Sequence, residues 1–150
     1  MNNIASFSIF NSLLKRPIFR LLSTKLYTKT HEWIDNDKID NIAIIGITDY
    51  ASSKIGDIIY VDITDEGTVI PEGKEISSVE SVKLVSDIVS PIDCNVMEKN
   101  KVVIDNPEIL SNDPEGEGWL IRAKITNTID KSKFMSKDEY SIFIQEENTD

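Results

Sequence analysis

The chain has 150 residues, enough for one domain with a core of its own and little more. Its net charge of −10 is unevenly spread: residues 1–30 hold no Asp or Glu, so residues 31–150 set eleven basic side chains against all 26 acids and carry −15. A body this acidic argues against a nucleic-acid partner, the single Cys94 rules out an internal disulfide scaffold, and no uncharged apolar run reaches the roughly 20 residues that span a bilayer.

Residues 1–26 read as a targeting presequence. The segment is acid-free and rich in Ser, with Lys15, Arg16, Arg20 and Lys25 interleaved among Ile4, Phe7, Phe10, Leu13, Leu14, Phe19 and Leu22. That composition is of the mitochondrial type. A secretory signal would place its bases before the apolar region, whereas the first base here, Lys15, follows it. The expected destination is the mitochondrial matrix, with a plastid as the alternative.

The folded body is expected to occupy residues 27–150. Glu32–Ile34 and Ile39–Ile45 pair as a hairpin across the turn chemistry of Asn36-Asp37, and Ile39–Ile47, β-branched and apolar on both faces, reads as a well-buried strand. Thr48 N-caps a short helix that Gly56 ends. Asp57–Ile63 is a strand and Val69–Gly73 a turn. Ile76–Glu80 and Val85–Val89 form a second hairpin with Lys83 at its tip. Pro91–Asn95 is a turn before a short strand at Val96–Lys99. Asn100–Gly118 reads as mostly loop with one helical turn at Pro107–Leu110. Trp119–Ile125 alternates as a half-buried strand, and Ser136-Lys137-Asp138-Glu139 is a capping box opening a terminal helix through Ile144. Many short strands followed by one helix predict a mainly β fold, a small sandwich or barrel with helical decoration.

Enzymatic motifs are missing. The sequence has no Gly-rich phosphate loop and no G-x-S-x-G elbow. One histidine, His31, and one cysteine, Cys94, cannot build a His/Cys metal cluster. A Cys–His dyad would require those two to meet, and a buried inert cysteine is the commoner case. Carboxylates are plentiful, yet no cleft-forming aromatics accompany them as a glycosidase would require. What remains is Lys83, which by itself reads as an ordinary solvated charge.

Several stretches together carry a resemblance: Tyr27-Thr28-Lys29-Thr30-His31-Glu32-Trp33, Ile45-Gly46-Ile47-Thr48-Asp49-Tyr50-Ala51, Gly56-Asp57-Ile58-Ile59-Tyr60-Val61, Val79-Glu80-Ser81-Val82-Lys83, Ser86-Asp87 with Ser90-Pro91, Asn106-Pro107-Glu108-Ile109-Leu110, and Gly116-Glu117-Gly118-Trp119-Leu120-Ile121. In this order, over about residues 27–145, the chain resembles the H proteins of the glycine cleavage system. The resemblance implies a lipoyl/biotinyl-type sandwich of two small antiparallel sheets (a barrel-sandwich hybrid) with short helices and a C-terminal helix. It implies a non-catalytic carrier whose cofactor, lipoate, is joined by an amide to Lys83, with Glu80, Ser81 and Val82 recognised during lipoylation.

The implied partners are a PLP-dependent glycine decarboxylase, a tetrahydrofolate-dependent aminomethyltransferase, dihydrolipoamide dehydrogenase, and the enzymes that attach or synthesise lipoate. The arm would carry an aminomethyl group from the first to the second and electrons to the third. By matching position, Thr30, Glu32 and Asp87 would line the cleft that shields the loaded arm. Taken alone, Glu32 and Asp87 read as solvated surface acids. The chain departs from the family where Asp93-Cys94-Asn95 replaces a Ser-Gly turn: either Cys94 is strained at φ > 0, or an Asp or Asn takes the left-handed position. The first hairpin, Asp35–Asp40, is about two residues longer than usual and lacks Gly. Competing readings are a lipoyl or biotinyl domain of another complex, a hydrolase using paired acids, and a non-catalytic interaction protein that has lost the modification. Val82-Lys83-Leu84 in place of Asp-Lys-Ala or Met-Lys-Met disfavours the first.

Overall fold

The computed structural model describes residues 25–37 and 39–150. The presequence range 1–26 lies outside the described residues except for Lys25 and Leu26, which belong to the first strand. In chain order the elements are β1 (Lys25–Tyr27), β2 (Glu32–Asp37), β3 (Ile42–Ile47), α1 (Asp49–Ile55), β4 (Ile58–Ile63), β5 (Val69–Ile70), β6 (Glu75–Ser81), β7 (Val85–Val89), β8 (Cys94–Lys99), α2 (Lys101–Asp105), α3 (Glu108–Asn112), β9 (Ile121–Ile125), a 3₁₀ turn (Lys131–Lys133) and α4 (Lys137–Glu147). No helix among the described residues is long and apolar enough to cross a membrane.

The strands form two antiparallel sheets, one in the order β1-β2-β3-β9-β8-β5 and one in the order β4-β6-β7. Their inner faces share one core. Ile34, Ala43, Ile45 and Ile121 from the large sheet meet Val61, Ile63, Ile76, Val79 and Ile88 from the small one. Strand β9 shows the cause most plainly: Ile121, Ala123 and Ile125 point inward while Arg122 and Lys124 stay exposed, the period of two that one buried face demands. The fold is the expected mainly β sandwich.

Local departures from the sequence-based expectations have physical reasons. Ile39 is 88% exposed and precedes β3, which starts at Ile42 after Asn41 takes a left-handed φ of 56°. The turn thus uses Asn where Gly is absent. Val69–Ile70 is a two-residue strand paired to β8, not part of a turn. Cys94 is not a turn residue: it opens β8, buried, opposite Ile70 and Ile125. Neither alternative for Asp93–Asn95 holds, since the only non-glycine residues at positive φ among those described are His31 and Asn41.

The segment after Asn100, expected as loop, opens with α2, and the helical turn expected at Pro107–Leu110 is α3. The Asn100 side chain N-caps α2 by accepting from Val102 N at 3.2 Å, and its amide donates to the carbonyls of Glu117 and Trp119. The caps read from sequence are present elsewhere. The Thr48 hydroxyl accepts from Ala51 N, the Gly56 amide closes α1 on the Ser52 carbonyl, and Ser136 with Glu139 forms the capping box of α4.

A second, smaller cluster of Tyr27, Trp33 and Tyr140 fastens α4 to the large sheet. Gly46 is required there. A Cβ on Gly46 would sit 2.8 Å from three atoms of the Trp33 indole, whose Nε1 donates to the Pro114 carbonyl at 3.1 Å. Gly46→Ala is therefore expected to lower the unfolding free energy by about 1–3 kcal/mol through overpacking. Urea denaturation checks it, and a midpoint equal to wild type would contradict the tight indole contact.

Candidate carrier site

Lys83 lies between β6 and β7, in a tip that ties itself shut. Ser81 N donates to the Leu84 carbonyl at 2.9 Å, and the Ser81 hydroxyl oxygen accepts from Lys83 N at 3.1 Å and Leu84 N at 3.2 Å. Ser81 is itself buried, so one side chain satisfies two backbone donors and fixes the turn. The tip is anchored sideways too, because Val82 N donates to the Asp57 carbonyl at 3.3 Å. Beneath it lies Gly56 at φ 89°, a backbone conformation that favours glycine. A Cβ there would lie 3.7–3.8 Å from Cδ, Cε and Nζ of Lys83, ordinary van der Waals spacing, so the lysine stem passes over the glycine without crowding it. Lys83 Nζ is exposed and has no hydrogen bond or ion pair among the described residues.

The other expected residues fall into two groups. Thr30 and Glu32 meet, joined by a residue that sequence reasoning passed over, Thr28. Glu32 Oε2 accepts from the Thr28 hydroxyl at 2.5 Å and the Thr30 hydroxyl at 2.6 Å, while Glu32 N donates to Thr28 Oγ1 at 3.1 Å. Glu32 is only 4% exposed, so it is no solvated surface acid. The signal was in the sequence as two hydroxyls four and two residues before a carboxylate. Asp87 lies apart, on the outer face of the small sheet opposite Ser78, whose hydroxyl approaches Asp87 Oδ1 at 3.5 Å. No hydrogen bond or ion pair joins it to Glu32 or Thr30 among the described residues.

His31, between Thr30 and Glu32, is held at φ 70° by its surroundings. Its carbonyl accepts from Thr48 N at 3.0 Å, its Nδ1 lies 2.8 Å from the Tyr140 hydroxyl, its Nε2 lies 3.3 Å from Glu147, and its ring packs against Tyr50 and Phe143. The role is structural: His31 pins the Thr28–Glu32 corner to α1 and α4. Burial pushes the Tyr140 hydroxyl up to about 12 against a partly offsetting bond with Thr48, and burial with the nearby Glu115 carboxylate raises Tyr27 as well. Both phenols ionise first in the unfolded chain, near pH 10, so stability is intact below that pH and is lost as pH rises from about 10 toward 12. Thermal melts across this window should show the fall, and Tyr140→Phe should make it shallower; an unchanged slope would contradict the buried neutral phenol.

No group of three or more His, Cys, Asp or Glu side chains is placed to hold a metal among the described residues. Two antiparallel sheets packed around one core, with a tight self-bonded hairpin presenting a solvated lysine, define a carrier domain of the lipoyl/biotinyl class. The model of one family, glycine cleavage H-protein, matches residues 25–147. The chain belongs to that family, whose members are lipoate-bearing carriers of the glycine cleavage system with no catalytic activity of their own.

Among its relatives, the glycine cleavage system H protein of Synechococcus sp. (strain JA-3-3Ab) is 44% identical over 119 residues, 79% of this chain and 91% of that one. The mitochondrial H protein 2 of Arabidopsis thaliana is 39% identical over 123 residues, 81% of this chain and 77% of that one. The crystal structure of the H protein from Mycobacterium marinum superposes with a TM-score of 0.74 at 30% identity, covering 82% of this chain and 98% of that one.

Proposed function

We propose that lipoate is attached through an amide to Lys83, and that the modified chain shuttles among glycine decarboxylase, aminomethyltransferase and dihydrolipoamide dehydrogenase. The observation that carries the reading is the tip itself: a backbone locked by Ser81 and Asp57, and an exposed amine free of polar partners among the described residues. A carrier lysine needs such a rigid, exposed support, since a long arm on a fixed base gives each partner a high effective concentration of its cargo. The fit is good, because the stem passes over Gly56 without crowding and Lys83 has no polar partner to give up among the described residues. Once bound, the lipoyl disulfide supplies an acceptor for the aminomethyl carbon and for two electrons.

The residues of the chain itself do the rest. Ser81 holds the turn, Gly56 takes the positive φ that the backbone beneath the tip adopts, and Glu80, Ser81 and Val82 are the proposed recognition surface for lipoylation. Glu32 supplies a carboxylate in a nearly closed site, with Thr28 and Thr30 turning their hydroxyls onto Oε2. Oε1 takes no hydrogen bond among the described residues and is the natural partner for a cationic amine. Asp87 adds a second negative charge along the outer face of the small sheet. The proposed compartment is the mitochondrial matrix, with cleavage before Lys25: Lys25 pairs with Asp35 and Leu26 with Ile34, and Leu26 packs on the core. N-terminal sequencing of organelle-derived protein checks that cut.

The test of the function is reconstitution. Lipoylated chain added to the three purified enzymes should release carbon dioxide and ammonia from glycine in the presence of tetrahydrofolate and NAD+, the electron acceptor of the dehydrogenase. Turnover without the chain, or equal turnover with the unlipoylated chain, would reject the reading.

A further inference from the structure

Beside Glu32 stands a hydroxyl that is held at both ends. Thr28 Oγ1 accepts from Glu32 N at 3.1 Å and donates its one proton to Glu32 Oε2 at 2.5 Å, so the carboxylate is folded back toward its own amide. The base of this hydroxyl is rigid. Tyr27, next to it, exchanges two backbone hydrogen bonds with Met135, Thr28 N donates to the Glu32 carbonyl at 3.0 Å, and His31 takes a φ of 70° where the chain turns back. Thr28 is 7% exposed, whereas Thr30, the second donor to Oε2, is an exposed side chain. A surface hydroxyl can exchange Glu32 for water, and a buried one has no such alternative.

We propose that Thr28 is the positioning residue for Glu32, turning the carboxylate so that Oε1 is presented to the cationic amine of the loaded arm. The inference rests on Glu32 being the partner of that amine. With two hydroxyls on Oε2, one oxygen is left to bind. One oxygen suits a compact ammonium, which offers its donors singly, and leaves a guanidinium fork half satisfied. The carboxylate is thereby aimed and selective before the arm arrives, and little ordering remains to be done when it does.

What such aiming protects is the C–S bond of the cargo. Loss of the aminomethyl group breaks that bond with its electron pair going to sulfur, which takes up a proton. Water supplies the oxygen of formaldehyde, the nitrogen leaves as ammonia, and nothing is oxidised or reduced. The push for the cleavage comes from the nitrogen lone pair. An opposite charge alongside favours the protonated nitrogen, whose lone pair is then occupied.

The experiment compares Thr28→Val, Thr28→Ser and Val103→Ala in the full chain, the last a truncation of a buried side chain in α2. Before lipoylation, hydrogen exchange of the Glu32 amide, read by NMR, should be about tenfold faster in Thr28→Val than in wild type, with Thr28→Ser close to wild type. After full lipoylation and loading by glycine decarboxylase, release of ammonia and formaldehyde should be faster by about fivefold or more in Thr28→Val. Thr28→Ser and Val103→Ala should stay near the wild-type rate. In a Glu32→Gln background, adding Thr28→Val should change the rate by less than about twofold, because no charge remains to be aimed. A wild-type lifetime or a wild-type amide exchange rate in Thr28→Val would overturn the positioning role. So would an equal acceleration in Val103→Ala, or the full effect persisting in the Glu32→Gln background. Should Thr28→Val fail to fold, Thr28→Ala takes its place under the same criteria. A wild-type lifetime in Glu32→Gln alone would instead remove Glu32 from the cleft, and this inference with it.

Discussion

Lys83→Arg is expected to give a folded protein that accepts no lipoate and supports no glycine cleavage. The substitution keeps the positive charge and the long stem, so little in the fold should respond: the side chain passes over Gly56 without crowding it, and the tip is held by Ser81 and Asp57 through backbone groups. A guanidinium is protonated at all working pH values and is not acylated as an amine is. Activity in the reconstituted system should therefore fall to the level seen without the chain, while the unfolding free energy from urea denaturation stays within about 0.5 kcal/mol of wild type, as for a surface substitution. Substantial turnover by the arginine variant would point to chemistry elsewhere, such as the paired-acid hydrolase weighed from the sequence.

Glu32→Gln should leave lipoylation untouched and shorten the life of the loaded carrier. Glutamine keeps the shape and still accepts from the Thr28 and Thr30 hydroxyls, so the corner stays closed, but the negative charge is lost. Hydrogen bonds to charged groups contribute about 1.5–3 kcal/mol, which corresponds to roughly ten- to a hundredfold faster loss of the aminomethyl group. The decay of loaded wild type and variant, followed by ammonia and formaldehyde release, makes the comparison. Equal lifetimes would remove Glu32 from the cleft and leave Asp87 as the remaining carboxylate to test.

The residues that shape backbone locally were legible before the structure. Thr48, Gly56 and the Ser136/Glu139 pair announce helix ends because capping is a short-range bond between neighbours in sequence. The hairpin around Lys83 was legible for the same reason: expected at Ile76–Glu80 and Val85–Val89, it spans Glu75–Ser81 and Val85–Val89. What escaped depends on distant partners. Ile39 looked like a core residue from its type, yet Asn41 turns the chain after it. Helix α2 reads as loop in the sequence because its cap, Asn100, draws support from Glu117 and Trp119 across the fold.

Burial of Glu32 was missed because a carboxylate is by default an exposed group. Only the closing of the Thr28–Thr30 corner, fastened through His31 to α4, takes it out of solvent. Cys94 reads as a turn residue where a small-residue turn is expected, whereas its side chain is buried in a strand between Ile70 and Ile125. The family itself is recognisable from ordered motifs; the geometry explains why two of their residues are needed, Gly46 beneath the Trp33 indole and Gly56 at a φ of 89°.

The most direct test is peptide mapping by mass spectrometry of the endogenous protein, isolated from cells that carry active lipoate attachment. One lipoyl group per chain, amide-linked to Lys83 and to no other lysine, is the predicted result. A fully unmodified Lys83 in those cells, or lipoate on a different lysine, would contradict the carrier site.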